Sequence, residues 1–599
     1  MTAPDPSDPA APANPTDPAD PADATEATEA TEATEATEAT EATEATEAHY
    51  GDPFDGGFAL AEHHQSTPDL GAALAVYAEL LTLAESLDDS PDVRFLRGHL
   101  LSNIASVQLK AADPAAAARA LERSLALVRG VADVPMGPRG RQVWLEVLLK
   151  TLLAKAELLR RTRSLDEASS CVDEAAALLA EFHDPEGLRA AEVGLTRVLL
   201  LIDRSEWGAA EELASALLSP APTAVPRSAR PPAPSPTAPR LLDCLAVICA
   251  STGRFDLADD HLARADDGFR AAGDNGARQG LLAHRAYVVM LRGDLDHAER
   301  LYAEASALYE EQGLAADLAV CEQARAFLAE QRGETAVAHD LTASSLARFE
   351  RLGAALAAAD TMLLSAQQAY DRGDIVEMQR LAQTAREVFE EQRVYERCAQ
   401  VDLLLAMALE DNLNRTDHGA LEAQSVAMAL GLALPAVLAL EAARYDFVTA
   451  HARSQWLQLA DAAMRLAFRL ALRRGDQGLL FELVEHRCAG ASLALTRTDP
   501  PPPPSTPDHR PGLVFPAPAM KTHAPAEGTG SGAGPSSLLG GAAAEAAATA
   551  GLRVAPPPRV RMSAESGRFA LQEYVQAAEF RYHRRIVSEE EVPFWPPTT

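Results

Sequence analysis

Hydrophobic residues recur at intervals of three and four positions through the middle of this chain, from about residue 69 to residue 495. Leu74, Tyr77 and Leu81 show the spacing near the start of this region, and Leu145, Leu148 and others repeat it further on. Residues with this spacing share one face of an α-helix. The pattern therefore predicts a long succession of amphipathic helices.

Glycines divide the centre of this region at a fixed interval. Glycine ends helices because it adopts the left-handed conformation that follows the last helical residue without a steric penalty. A glycine every twenty residues predicts a series of helices of about fifteen to seventeen residues each. The seven glycines are Gly253, Gly273, Gly293, Gly313, Gly333, Gly353 and Gly373.

The sequence context shows that the true period is forty residues. Alternate turns read Thr-Gly-Arg-Phe-Asp-Leu-Ala from residue 252 and Arg-Gly-Asp-Leu-Asp-His-Ala from residue 292. Small residues near the turn let two helices approach closely, and an aromatic residue late in the second helix fills the junction with the next pair. The equivalent positions are Ala246, Ala286, Ala326 and Ala366 before the turns, Ala258, Ala298, Ala338 and Met378 after them, and Phe269, Tyr309, Phe349 and Phe389 late in the second helix.

A helix A, a Gly-Asp turn, and a helix B with Ala early and Tyr or Phe late resemble the tetratricopeptide (TPR) family, in a long forty-residue form. The strong match covers residues 241–393, and weaker copies lie at residues 163–168, 204–210 and 475–483. The resemblance implies an all-α solenoid of stacked helical hairpins. It also implies a concave surface, lined by the A helices, that binds protein or peptide partners.

Residues 479–487 (LLFELVEHR) resemble the segment that follows TPR arrays and precedes a caspase-like CHAT protease domain in actinobacterial proteins. No such domain follows here. The alternative that this resemblance implies is the recognition part of a CHAT-type system whose catalytic domain is absent from this chain. The composition, rich in Arg and Ala and poor in Lys, also suggests an actinobacterial origin.

Composition changes along the chain predict its domain boundaries. Eight copies of Thr-Glu-Ala follow a Pro/Asp-rich start, and this acidic tail offers almost nothing apolar to bury, so it is expected to be disordered. The predicted domains are the tail at 1–50, degenerate TPR-like repeats at 51–218, a Pro-rich linker at 219–240 that could divide the array, forty-residue repeats at 241–495, a Pro/Gly/Ala-rich linker at 496–562, and a short helical segment at 563–599.

Net charge and hydropathy exclude several classes of partner. The 599 residues carry a formal net charge of −34, which disfavours nucleic acid and anionic membrane surfaces because both attract a basic face. The longest uncharged apolar run, residues 426–440, is too short to span a bilayer and contains Pro435. With no targeting signal at the start, the expected location is the cytoplasm.

The residues that could act in catalysis or bind a metal do not have the spacings that these functions require. The six cysteines form no CxxC pair, so buried structural thiols and no zinc site are expected. The glycine-rich stretch 528–534 lacks the Lys-Ser/Thr ending of a phosphate-binding loop. His486 and Cys488 lie two residues apart on one predicted helix and face different ways, which favours a core or boundary position for Cys488. We therefore expect no catalytic residues, no metal, no cofactor and no enzymatic activity.

The predicted function is a scaffold or adaptor that binds a partner, with a peptide- or signal-sensing regulatory module as a further alternative. Arg285 and Arg325 occupy the same position of successive A helices, eight residues before their turn glycines. Aligned arginines could hold an acidic peptide, or could equally pair with acidic residues of the next hairpin. The apolar positions between Phe569 and Ala578 predict a helix from Ser566 to about His583, either a cap on the solenoid or a docking peptide. Oligomeric state stays open.

Overall fold

The protein is seen in a computed structural model, and its described part is almost entirely helical. Two short ladders accompany the helices. One pairs β1 (Leu495–Arg497) with β2 (Leu552–Val554), and the other pairs β3 (Arg559–Val560) with β4 (Glu591–Val592). The structure describes residues 50–66, 69–111, 113–162, 164–184, 187–219, 237–415, 421–447, 450–489, 495–497, 552–554, 556–557, 559–560, 569–588 and 591–592.

Most of the helices follow one another with short connections, except after Leu218 and after Ala489. A 3₁₀ turn, Ala443–Asp446, stands between α18 and α19. The helices are α1 (Phe54–Ser66), α2 (Leu70–Ser86), α3 (Pro91–Lys110), α4 (Pro114–Arg129), α5 (Pro138–Thr162), α6 (Leu165–Leu178), α7 (Leu188–Asp203), α8 (Trp207–Leu218), α9 (Ala238–Ser251), α10 (Phe255–Ala272), α11 (Asn275–Arg292), α12 (Leu295–Glu311), α13 (Ala315–Gln331), α14 (Thr335–Leu352), α15 (Ala355–Asp371), α16 (Ile375–Glu391), α17 (Tyr395–Arg415), α18 (Glu422–Ala442), α19 (Ala450–Arg474), α20 (Gln477–Ala489) and α21 (Gln572–Tyr582).

Consecutive helices from α1 to α20 form hairpins, each with an odd-numbered helix A and an even-numbered helix B. Every A helix from α3 to α17 also contacts the A helix of the next hairpin, so these helices form one continuous layer. The B helices flank that layer. This arrangement is the predicted solenoid of TPR-like helical hairpins. The weaker sequence copies also fall at connections within hairpins: Ser164 directly precedes α6, and residues 204–206 and 475–476 each connect the two helices of one hairpin.

The seven turn glycines adopt the left-handed conformation that the sequence spacing predicts. Their φ angles lie between 66° and 96°. At Gly333, the amide of the next residue, Glu334, donates to the carbonyl of Ala329 at 2.9 Å, which closes the end of α13. The helices between these turns contain 17 or 18 residues, slightly more than the spacing alone suggests.

The forty-residue positions form the core between the helices. All four alanines that precede the turns are completely buried, as are the three alanines and Met378 that follow them. The aromatic residues late in the B helices, from Phe269 to Phe389, are also buried. Because the alanines occupy so little volume, helices A and B of each hairpin approach closely, and the aromatic ring fills the space at the next junction.

The first half of the array also contacts its last third, so the array closes on itself. Residues of α7, α8 and α9 share one hydrophobic cluster with Ala443, Phe447, Ala452 and Trp456. Leu165 at the start of α6 belongs to the cluster formed by α15 to α21. Helices α8 and α9, on either side of the Pro-rich stretch, pack against each other, so the hairpins on its two sides stack directly.

The apolar run at residues 426–440 lies within α18, which is longer than the run. The run itself is shorter than a membrane span, but the helix that contains it, together with the following turn, is long and apolar enough to cross a membrane. However, 78% of its most apolar window is buried inside the protein. A core helix of a closely packed array has these same properties, because it is apolar on every side.

The C-terminal helix α21 packs against α17 and α18. It begins at Gln572, after a turn, so the prediction that it begins at Ser566 was wrong. Its apolar face joins the hydrophobic cluster of the last hairpins, as the cap interpretation expects. The acidic tail, most of the two Pro-rich linkers, the glycine-rich stretch 528–534 and Phe594–Trp595 lie outside the described residues.

Candidate partner-binding surface

The two helices of each hairpin are buried to different extents. Helix α12, a B helix, buries one face that contains Ala298, Tyr302, Ala305 and Tyr309. Helix α13, the next A helix, buries residues on nearly every side between Leu318 and Ala329. The A helices are enclosed because B helices lie on one side and neighbouring A helices on the other. A partner that binds to the A helices must therefore contact their exposed edges and ends.

Polar side chains link successive A helices within this layer. His284 of α11 lies 2.6 Å from the carboxylate of Asp243 in α9, measured from Nδ1 to Oδ1. Gln323 of α13 donates to Thr361 of α15 at 3.0 Å. Such bonds satisfy polar groups that would otherwise be buried without partners, and they fix the register of one hairpin on the next.

The same layer contains an ion pair between a buried arginine and a partly buried aspartate. Arg397 of α17 lies 3.1 Å from Asp360 of α15, measured from Nε to Oδ1, and its Nη1 donates to Gln400 at 2.6 Å. Burial raises the pKa of Asp360, although the Arg397 charge opposes this. Burial likewise lowers the pKa of His284, but Asp243 and Asp317 outweigh it, so the net shift is upward.

Arg285 and Arg325 lie at equivalent positions of α11 and α13, and each faces the B helix of the preceding hairpin. Arg325 donates to Glu299 of α12 at 2.9 Å, and its side chain is 28% exposed. Arg285 lies 3.9 Å from Asp266 of α10, and its side chain is 46% exposed. Both arginines thus have acidic neighbours, but these belong to the preceding hairpin and not to the next one, which the second sequence interpretation named. That they bind a partner stays a prediction.

Neither acidic neighbour belongs to one arginine alone. Asp266 also accepts from Arg278 at 3.0 Å and pairs with Arg270. Glu299 lies 3.9 Å from Arg332 as well. Because the carboxylates have other cationic partners, Arg285 and Arg325 could turn toward an external acidic group without leaving Asp266 or Glu299 unpaired. Arg285, with the longer and more exposed contact, is the more available of the two.

The closure of the array involves the loop between α16 and α17. The amide of Leu165 donates to the side chain of Gln392 at 3.3 Å, and Arg393 lies 3.1 Å from Asp166. Asp166 also pairs with Arg204 at 2.8 Å. These contacts join the third hairpin and the end of the fourth A helix to the junction between the eighth and ninth hairpins.

A cluster of ionisable groups lies beside this loop. Burial raises the pKa of Glu396 to about 7, while Arg397, Arg584 and Trp207 act in the opposite direction. Burial also raises the pKa of Glu206. Arg584 of the C-terminal segment pairs with Asp446 of the 3₁₀ turn. The cluster thus contains groups from the start of α8, the start of α17, the 3₁₀ turn and the C-terminal segment.

The residues considered for chemistry are separated in the structure. His486 is buried next to Arg444, and burial lowers its pKa to about 4. Cys488 is exposed, so the expectation of a core or boundary position was wrong. It lies on the solvent-facing side of α20, while His486 lies on the buried side. The other five cysteines are buried and all six are free. Within the described ranges, no group of three or more His, Cys, Asp or Glu side chains could hold a metal ion.

Sequence reasoning did not find the closure of the array. The closure depends on residues from parts of the chain that are far apart in sequence, namely Trp207, Gly208, Glu396 and Asp446. The forty-residue pattern describes contacts between neighbouring hairpins only. The one local signal is the Trp207-Gly208 pair at the start of α8, because no other B helix in the described part of the chain begins with tryptophan.

No protein-family model matches the chain, and no curated protein sequence matches it. Solved structures of similar architecture include a Rap protein complexed with competence and sporulation factor, at 11% identity and a TM-score of 0.41 over 63% of this chain and 100% of that one. Aspartyl phosphate phosphatase F from Bacillus subtilis matches at 12% identity and a TM-score of 0.35, over 65% and 95% of the two chains. A STAND protein from Pyrococcus horikoshii with a tetratricopeptide repeat sensor matches at 13% and 0.34, over 71% and 70%.

Proposed function

We propose that this chain is a non-catalytic, cytoplasmic scaffold or adaptor that binds an acidic protein segment along the edge of its A-helix layer. The observation that carries the proposal is the pair Arg285 and Arg325. They occupy the same position in consecutive hairpins, are partly exposed, and contact carboxylates that have other cationic partners. Arginine suits this role because its planar guanidinium binds carboxylates through two parallel hydrogen bonds.

The repeat geometry sets the spacing of the acidic groups that the two arginines would bind. Packed helices lie about 8–10 Å apart, so equivalent side chains of α11 and α13 are separated by roughly that distance. A peptide in the extended polyproline II conformation advances about 3.1 Å per residue and brings every third side chain back to the same face. The proposed ligand is therefore an extended segment with acidic side chains about three residues apart.

The test is affinity purification of the tagged full-length protein from its native lysate, beside a variant with Arg285→Glu and Arg325→Glu. A matched control changes two exposed arginines of B helices, Arg119→Glu and Arg300→Glu. We expect a stoichiometric acidic partner with the wild type and the control, and about tenfold or greater loss with the first variant. A partner retained equally by all three proteins would contradict the proposed surface.

The CHAT-related alternative rests on residues 479–487, which lie in α20. In that case the array would supply substrate or effector recognition to a separately encoded peptidase. The two functions differ in what co-purifies. A caspase-like peptidase among the retained proteins would favour the alternative, and a partner unrelated to proteolysis would favour the scaffold.

A third possibility is a peptide- or signal-sensing module, and the closure of the array supports it. A ligand that binds the open and closed forms with different affinity would change the shape of the molecule. Small-angle scattering with and without a short peptide of the bound segment distinguishes this sensor from a static scaffold, because a short peptide adds little mass and a marked change in the radius of gyration then reports a change in the shape of the array.

A further inference from the structure

The C-terminal segment, residues 569–588, is a docked helix outside the forty-residue repeat. Its buried face follows helical spacing, and its opposite face, with Glu573, Gln576 and Phe580, is exposed. An apolar stripe of this kind is typical of a helix that binds in a groove. The buried residues of the segment are Leu571, Tyr574, Val575, Ala578, Tyr582, Ile586 and Val587.

Polar contacts fix the segment to three different helices. The amide of Leu571 donates to Glu482 of α20 at 2.9 Å. The hydroxyl of Tyr582 donates to Asp402 of α17 at 2.6 Å, and Arg581 donates to the carbonyl of Gly431 in α18 at 2.9 Å. The site is therefore composite: it exists only when α17, α18 and α20 are in place together.

The array does not need the segment to satisfy the charge at the centre of this site. Asp402 also accepts from Arg386 of α16 at 2.9 Å, so it keeps a cationic partner if Tyr582 departs. The segment, in contrast, depends on the array. Helix α21 has 11 residues, fewer than the roughly 12–15 that an isolated helix needs in water. Its helical form must therefore come from docking.

The far end of the segment reaches the closure of the array. Arg584 pairs with Asp446 of the 3₁₀ turn, and the carboxylates of Glu396 and Glu206 lie near enough to act on its pKa. The backbone of Asp446 in turn lies against Gly208 of α8. Loss of the segment would remove the cation that neutralises Asp446 at the point where the two halves of the array meet.

We propose that α17, α18, α20 and the 3₁₀ turn form a helix-binding site that residues 569–588 of the same chain occupy reversibly, and that release of this segment opens the array at the contact between Gly208 and Asp446. The site recognises an amphipathic helix with apolar residues at the Leu571, Val575, Ala578 and Tyr582 positions and an arginine two residues beyond. This inference does not depend on the partner proposed for Arg285 and Arg325.

Hydrogen exchange on the wild-type full-length protein gives the first test. We expect amides of residues 574–582 to exchange about 100-fold or more faster than amides of α13, because the segment opens without unfolding of the repeats. Amides at residues 205–208 and 443–447 should open with the same dependence on denaturant. Equal protection of α21 and α13 would overturn the proposal, since the segment would then be an inseparable part of the core.

The second test uses the full-length variant Val575→Glu, with Gln576→Glu as its control. Val575 is buried against the array, while Gln576 beside it is exposed, so only the first change should displace the segment. The probe is a fluorescently labelled synthetic peptide of residues 569–588. We expect it to bind the Val575→Glu protein at least about tenfold more tightly than the wild type or the control, because the site is then vacant.

Hydrogen-exchange rates at the closure, residues 205–208 and 443–447, complete this test. Faster exchange at residues 205–208 and 443–447 in the Val575→Glu protein, with α11 to α14 unchanged, is the expected result. No peptide binding while α11 to α14 keep their protection would show that no reversible site exists. Peptide binding without any change at residues 205–208 would overturn the link to opening.

Discussion

Gly208, at the start of α8, lies directly against the backbone of Asp446, although the two residues belong to the fourth and ninth hairpins. A Cβ atom on Gly208 would lie 2.6 Å from the carbonyl carbon of Asp446 and 2.9 Å from its Cβ. Real Cβ atoms do not approach this closely. The absence of a side chain at residue 208 is therefore what allows the array to close.

Gly208→Ala should weaken the closure. The added methyl group must push the 3₁₀ turn away, at a cost of about 1–3 kcal/mol. Hydrogen exchange at residues 205–208 and the radius of gyration from small-angle scattering should both increase. Gly280→Ala is the control, because Gly280 lies within α11 with open space around it. That change should stabilise the helix by about 0.5–1 kcal/mol. Equal behaviour of the two variants would show that the contact does not hold the array closed.

The closure could not be predicted from the sequence because its residues follow no period. Spacing rules describe neighbours along a helix or in adjacent hairpins. They predicted the turn glycines, the buried alanines and the aromatic residues from Phe269 to Phe389. The helix at the C-terminus was predicted in kind but begins six residues later than expected, because element boundaries depend on tertiary contacts such as that of Leu571 with Glu482.

The twenty-residue spacing of the turns continues beyond Gly373, but the next turn has no glycine. Residue 393, twenty positions after Gly373, is an arginine with a left-handed φ of 57°. The next amide, that of Val394, donates to Phe389 at 2.8 Å, as its equivalents do in the glycine turns. Arg393 also pairs with Asp166 in the closure. A search for glycine therefore misses this turn, although the structure repeats it.

Gly333→Ala should destabilise the protein through backbone conformation alone. The φ of Gly333 is 76°, and a Cβ there would meet nothing within 4 Å. An alanine forced into the left-handed region costs about 1–2 kcal/mol. Gly333→Asn should cost less, because asparagine adopts this region more readily. Urea unfolding of the two variants and the wild type provides the measurement, and an asparagine variant less stable than the alanine variant would contradict the explanation.

Tyr582→Phe should cost more stability of the C-terminal segment than Tyr574→Phe. The Tyr582 hydroxyl is buried and donates to the carboxylate of Asp402 at 2.6 Å. Loss of a hydrogen bond to a charged group costs about 1.5–3 kcal/mol. The Tyr574 hydroxyl also meets a charged group, Arg474, but that guanidinium is exposed and stays hydrated after the change, so the loss should cost about 1 kcal/mol or less. Exchange rates of the α21 amides report both effects. Equal acceleration in the two variants would show that Asp402 does not anchor the segment.

Glu396 should make the closure less stable as the pH rises. Burial raises its pKa from 4.5 to about 7 in the folded protein. Between these two values the folded state holds a proton that the unfolded state has lost. The free energy of unfolding therefore falls across this interval, and above pH 7 it is lower by an amount on the order of 3 kcal/mol.

Glu396→Gln removes this effect, because the amide keeps the shape of the protonated carboxyl at every pH. Unfolding measured from pH 5 to pH 8 should show similar stability for the two proteins at pH 5, and a variant that is more stable by about 2–3 kcal/mol at pH 8. The same change at Glu391, an exposed residue at the end of α16, is the control and should leave the pH profile unchanged. Because Arg584 neighbours Glu396, the gain should be accompanied by slower exchange at residues 205–208. A variant less stable than the wild type at pH 8 would mean that the ionised carboxylate, paired with Arg397 and Arg584, is the form that holds the array closed.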